Sequence, residues 1–119
     1  FRTWAAAGSA LSGAQARPGE RCAVVAGNSV VTLRVAAAVS RMGWTFGQQL
    51  GFVGFDDPEW ASLIRPGLSA VAQSTDAIGQ RAAQCLLERI GGLQGPARES
   101  LLPGLLVVRG SSLGSEAAV

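Results

Sequence analysis

Histidine, tyrosine and lysine are all missing from this 119-residue chain. Without histidine it can build neither a Ser-His-Asp nor a Cys-His nucleophile system, and no imidazole-ligated metal site. An enzyme here would have to work with carboxylates, Cys, Ser and Arg alone, which counts against catalysis. Basic clustering is missing too. The ten cationic side chains are all arginines, they are scattered, and the formal net charge of +2 is too small to argue for a nucleic-acid face. Only two cysteines occur, Cys22 and Cys85, with no metal-ligand spacing. Each sits among apolar residues and reads as a small hydrophobe, with a disulfide as the alternative. No apolar run reaches the roughly 18 residues that a membrane span needs. The opening Phe1-Arg-Thr-Trp-Ala5 is not a basic segment followed by a long apolar core, as a signal peptide is.

What is present is apolar and small. Hydrophobic residues make up 48% and charged residues 15%, so composition favours a packed domain over a disordered chain. The stretch Leu50-Gly-Phe-Val-Gly-Phe-Asp-Asp-Pro-Glu-Trp60 organises the rest. Leu50 to Phe55 is apolar or Gly throughout, which suits a strand covered on both faces of a parallel sheet. It ends in two acids and Pro58, where the ladder must stop. In open α/β sheets, ligands bind just outside such carboxyl ends.

Around it the pattern predicts alternating elements. A helix is expected from about Arg2 to Leu11 and a buried strand over Cys22–Ala26. A helix capped by Asn28 or Ser29 follows, with Val31, Val35, Ala38, Val39 and Met42 on its inner face and Leu33 and Arg34 elsewhere. Gly43 should end it. After the strand, Asp57 should cap a short helix over Pro58–Ile64. Leu68–Gln73 alternates as a half-buried strand. Then comes a helix over residues 76–90 with Ile78, Ala82, Cys85, Leu86 and Ile90 in a stripe, closed by Gly91-Gly92. Leu105–Arg109 gives a last strand, and 111–119 reads as a mobile tail. The expected fold is α/β, a largely parallel open sheet with helices on both faces. Residues 1–110 would form one incomplete domain, since the chain starts on a helix and not on Met.

These residues, in this order and spacing, resemble the lactose-repressor (LacI-type) family of bacterial transcription regulators. The match is carried by Ala23-Val-Val-Ala-Gly-Asn28, Val53-Gly-Phe-Asp-Asp57, Pro66, Leu68, Gln73, Ile78-Gly79, Leu86-Leu-Glu-Arg-Ile90, Leu102-Pro103 and Leu106-Val-Val-Arg-Gly-Ser111. It covers roughly Arg21 to Ser111. The resemblance implies a periplasmic-binding-protein-like effector domain whose two lobes close on a small molecule, a sugar or nucleoside-like compound. It also implies operator DNA bound through a helix-turn-helix that this chain does not contain, a homodimer, no cofactor, no metal, no membrane and a cytoplasmic location. The chain would hold most of the second lobe plus the crossover helix 76–90. Asn28, Asp56 and Gln73 correspond to ligand contacts of the family. Leu33 and Ile64 fall on its dimer interface. Ser29 stands where the family has Asp, and Gly67 where it has a second Pro. Arg109-Gly-Ser111 is a family feature read as structural.

Two other classes remain at this stage. One is a lobe of a periplasmic sugar-binding protein of an uptake system. The other is an α/β enzyme using Asp56 and Asp57 as a pair, although adjacent strand residues face opposite ways. Trp44 and Trp60 read as packing residues, with stacking on a sugar as the alternative.

Overall fold

Leu50–Phe55 forms a central strand, β2, in the computed structural model, which describes residues 21–114. Strand β1 is Cys22–Ala26, β3 is Ser69–Ala72 and β4 is Leu105–Val107. The sheet order is β1-β2-β3-β4. Both β1 and β3 run parallel to β2, with Ala26 opposite Gly54 and Phe55 opposite Val71. That register brings three carboxyl ends to one edge. Between β1 and β2 the chain forms helix α1, Ser29–Arg41, which packs against both strands. The expected α/β class and largely parallel open sheet are therefore what the chain forms.

Two compact units share these elements. Among the described residues, the first holds β1 to β3 and residues 106–114; the second is Gln73–Leu105. The core of the first is Ala26, Val35, Ala38, Val39, Phe46, Leu50, Phe52, Ala61 and Leu68, with Cys22, Trp44, Trp60 and Ile64 packed partly against it. Phe46 and Phe52 meet ring on ring at 5.3 Å, a tilted contact that such rings favour. Packing is thus what both tryptophans do here. Both cysteines are free.

Several expectations need correction. The strands are not covered on both faces by the described residues. Val25 is 78% exposed on the edge strand β1, and in β2 only Leu50, Phe52 and Gly54 are buried while Phe55 is exposed. Alternate strand residues face opposite sides, and α1 covers one side. In α1 the buried positions are Thr32, Val35, Ala38 and Val39. Val31 is exposed and Thr32 takes the inner place. Burial of its hydroxyl is tolerated because Oγ1 donates to the Asn28 carbonyl at 3.0 Å. Gly43, with φ +65, closes the helix as expected.

The short helix after β2 is a 3-10 turn, Glu59–Ser62, started by Pro58 with no side-chain cap. Asp57 does not cap it, because its carboxylate is engaged elsewhere. Strand β4 is shorter than expected. The chain beyond it is folded: Gly110–Ser112 is a 3-10 turn and Ser111 is fully buried, so the tail does not begin at Ser111. The expected helix over Arg2–Leu11 and residues 115–119 lie outside the described part.

The second unit carries helix α2, Thr75–Ile90, with Ser74 as its first cap residue. The Ser74 hydroxyl donates to the Pro103 carbonyl at 2.9 Å and makes no helix cap bond. Arg89 reaches forward to the Leu93, Gly95 and Pro96 carbonyls and ties the following loop to the helix. No residue of α2 is buried.

Candidate functional site

Parallel strands leave a row of carboxyl ends, and loops leaving that edge are where side chains can converge on a ligand. Asn28 sits two residues past the end of β1. Its backbone is extended and its Oδ1 accepts from the Val31 N–H at 2.9 Å, so it caps α1. Asn28 is exposed. With Oδ1 spent on the cap, the amide Nδ2 is the group it can offer outward. Capping and ligand contact are therefore compatible, with different atoms serving each.

Asp56 follows β2 directly. Its N–H donates to the Val71 carbonyl at 2.9 Å, which prolongs the ladder to β3 by one residue. It then turns with φ 73, the one non-glycine among the described residues with positive φ. This left-handed region costs an L-residue roughly 1 kcal/mol or more, and Asp and Asn bear it better than most. Such strain gathers at functional sites, which makes Asp56 a candidate.

Asp57 goes a different way. Its Oδ1 and Oδ2 accept from Arg109 Nη1 and Nη2 at 2.7 and 2.9 Å, a two-pronged ion pair with both side chains largely buried. Those hydrogen bonds hold its carboxyl below the ordinary 3.8, against the upward pull of burial, with the guanidinium charge helping. Arg109 is raised in turn, first by the same hydrogen bonds. The Asp57 carboxylate is thereby committed to Arg109 at both oxygens. Among the described residues no group of three His, Cys, Asp or Glu could hold a metal ion.

Arg109 is the centre of a polar clamp. Its Nη1 also donates to the Leu68 carbonyl at 2.7 Å. Ser69 Oγ accepts from the Arg109 N–H at 2.7 Å and lies 2.9 Å from its carbonyl. Ser111 Oγ accepts from the Ser69 N–H and donates to the Phe52 carbonyl, both at 2.8 Å. The stem of Arg109 lies against Gly67, which has φ +93. A proline, whose ring fixes φ near −65°, does not fit there. Sequence reasoning missed this clamp. Its bonded pairs lie 40 to 59 residues apart, and its sole signal was Arg109-Gly-Ser111, read as structural without a partner.

The remaining expected site residues are dispersed. Gln73 is exposed, follows β3 in the chain and opens the second unit, where its carbonyl accepts from the Thr75 N–H. Leu33 is 53% exposed on α1, whereas Ile64 packs partly on the core and the exposed neighbour is Leu63, at 79%. A hollow of ≈ 410 Å³ in the second unit, lined by Ile78, Arg81, Cys85 and Arg98 among others, includes none of the expected contacts.

Comparison with known proteins bears on this geometry. A family model described as a periplasmic binding protein-like domain matches residues 2–112. The HTH-type transcriptional regulator PtxS of Pseudomonas plecoglossicida is 46% identical over 85 residues, covering 71% of this chain and 25% of that protein. A probable transcription regulator from Thermus thermophilus is 38% identical, with a TM-score of 0.66 over 97% of this chain and 42% of its own. The Lac repressor dimer bound to operator and the anti-inducer ONPF is 26% identical, with a TM-score of 0.74 over 92% of this chain and 32% of its own. The chain spans about a quarter of the length of the curated relative.

Proposed function

Because this chain belongs to the periplasmic-binding-protein-like family, in its LacI-type regulator branch, we propose that it is the effector-sensing part of a bacterial transcriptional regulator. The observation that carries the reading is Asp56: an acid in a strained conformation at the carboxyl edge of a parallel sheet, the edge from which the loop carrying the exposed Asn28 also leaves. Glycine would fill that backbone position without strain. A carboxylate there accepts from hydroxyls and an amide donates to ring or hydroxyl oxygens. That pairing suits a sugar or a related hydroxylated small molecule. Gln73 adds a second amide in this reading. The reading is one of binding: the Asp57 carboxylate is taken up by Arg109, and the relatives are regulators.

Operator DNA would be bound by a helix-turn-helix elsewhere in the protein, in the cytoplasm, and the protein would act as a dimer. Leu33 and Leu63, more than Ile64, supply exposed apolar surface for that contact. The Lac repressor is known as a dimer on its operator, which supports this arrangement. The relatives are regulators, which favours this over a transport protein.

The test uses the full-length protein and isothermal titration with a panel of neutral and acidic monosaccharides. Asp56→Asn keeps the size and tolerates the backbone, yet removes the charge. It should weaken binding about 10- to 100-fold, the worth of a charged hydrogen bond. Unchanged affinity in that variant would remove Asp56 from the site. A full-length protein that binds no operator DNA would sink the regulator reading.

A further inference from the structure

We propose that Arg109 is a positioning residue for the effector site: its grip on Asp57 holds the Asp56 backbone in the left-handed conformation that presents the Asp56 side chain. The inference deepens the reading above and rests on it for the word effector, but its geometry stands apart from any ligand.

Asp56 is fixed from both sides. Ahead of its Cα, its own N–H is bonded to the Val71 carbonyl on β3. Behind it, the next residue's carboxylate is bound at both oxygens by Arg109. A chain pinned at two points so close together has few ways to pass between them, and φ 73 is the one adopted. A left-handed acid persists only when its surroundings over-determine it. The rear anchor is itself immobile. Arg109 is bonded through its side chain to the Leu68 carbonyl and through its backbone to the Ser69 hydroxyl, and Ser69 is fully buried. Lysine at 109 would keep the charge and lose the planar two-pronged fork. A simple staple between two chain segments would have no need of an anchor beside the strained residue. The location of the ion pair, one residue after Asp56, is what gives Arg109 this role.

The test reads the Asp56 backbone directly in the full-length protein. Pairwise labelling, ¹³C-carbonyl in Phe and ¹³C,¹⁵N in Asp, selects Phe-Asp steps; these 119 residues hold one, Phe55–Asp56, and the loss of its signal in Asp56→Asn identifies it. The one-bond Cα–Hα coupling of labelled Asp56 then reports the sign of φ, and its amide exchange reports the bond to Val71. Native protein should show positive φ and a protected amide. Arg109→Ala and Asp57→Asn should both lose the positive-φ coupling while remaining folded, and Arg109→Lys should recover part of it. Should Arg109→Ala fail to fold, the isosteric Asp57→Asn answers alone. A folded Asp57→Asn protein that melts earlier but keeps the native coupling at Asp56 overturns the proposal and leaves Arg109 as a staple. If the coupling is lost as expected but Asp56→Asn binds sugars normally, the effector reading fails and the positioning role stands.

Discussion

Asp56 pays for its place with backbone strain, and that inverts the usual order of substitution. At an ordinary exposed position, Asp→Ala is harmless. At φ 73, alanine has neither glycine's freedom nor the local hydrogen bonding of Asp, so Asp56→Ala should cost about 1 kcal/mol. Asp56→Gly should stay within about 1 kcal/mol of native, because relief of strain offsets the greater flexibility of the unfolded chain. Both should lose effector binding. Urea denaturation beside titration calorimetry checks this, and a glycine variant less stable than the alanine one would contradict the strain argument. Asp57 behaves differently because its folded carboxyl is held below the ordinary 3.8. The folded chain keeps this charge where the unfolded chain has begun to bind a proton. The ion pair's contribution is therefore full above about pH 5 and is lost as pH falls from there through the folded value. Asp57→Asn should cost about 1–2 kcal/mol at neutral pH, a modest figure because both side chains keep some solvent contact, and should flatten the acid limb of stability against pH. A variant with the native acid profile would show that Asp57 does not carry it.

Elements are joined in this chain by polar atoms as much as by apolar packing. The Ser111 hydroxyl bridges the Phe52 carbonyl of β2 and the N–H of Ser69 at the start of β3, wholly out of water. Ser111→Ala leaves a buried N–H and a buried carbonyl to find other partners. It should cost about 1–3 kcal/mol, which chemical denaturation would measure, far more than a surface serine does. Sequence pattern could not reveal such a bridge. It revealed β2 to the residue, because a run of apolar residues and Gly ending in Asp-Asp-Pro has one natural reading, and it revealed α1 through Asn28, Val35, Ala38, Val39 and Gly43. It erred at Thr32 because a polar type does not register in an apolar stripe. It erred at Asp57 because a cap is a local bond, whereas the partner that claims this carboxylate lies 52 residues away. Coverage of a strand's second face is equally non-local, so Val25 looked buried. The candidate site was legible only where a strand end marked it: Asn28 and Asp56 came from the edge rule and the family resemblance, while the resemblance marked Arg109-Gly-Ser111 as structural without giving its partners.

For the whole molecule, the decisive surface is the apolar stripe of α2. An amphipathic helix normally buries its stripe, yet none of α2 is buried, and Ile78, Leu86, Leu87 and Ile90 are 42 to 73% exposed. The stripe of Ile78, Ala82, Cys85, Leu86 and Ile90 at three- and four-residue steps was plain from the sequence; its exposure was not, since periodicity shows which face is apolar and says nothing of what covers it. Large contiguous apolar patches on soluble chains drive association. The 119-residue chain by itself should therefore self-associate in a concentration-dependent way, seen as a rising weight-average mass in sedimentation velocity. Exchanging Leu86 and Ile90 for Glu and Lys should shift it toward monomer without unfolding the sheet, because neither residue belongs to the core of the first unit. Leu33→Asp tests the other face. It should leave the α2-driven association of the isolated chain in place and weaken dimers of the full-length protein. A chain that sediments as one sharp monomer over a hundredfold range of concentration would mean that the exposed stripe of α2 is satisfied within the chain, and the argument from its burial would fail.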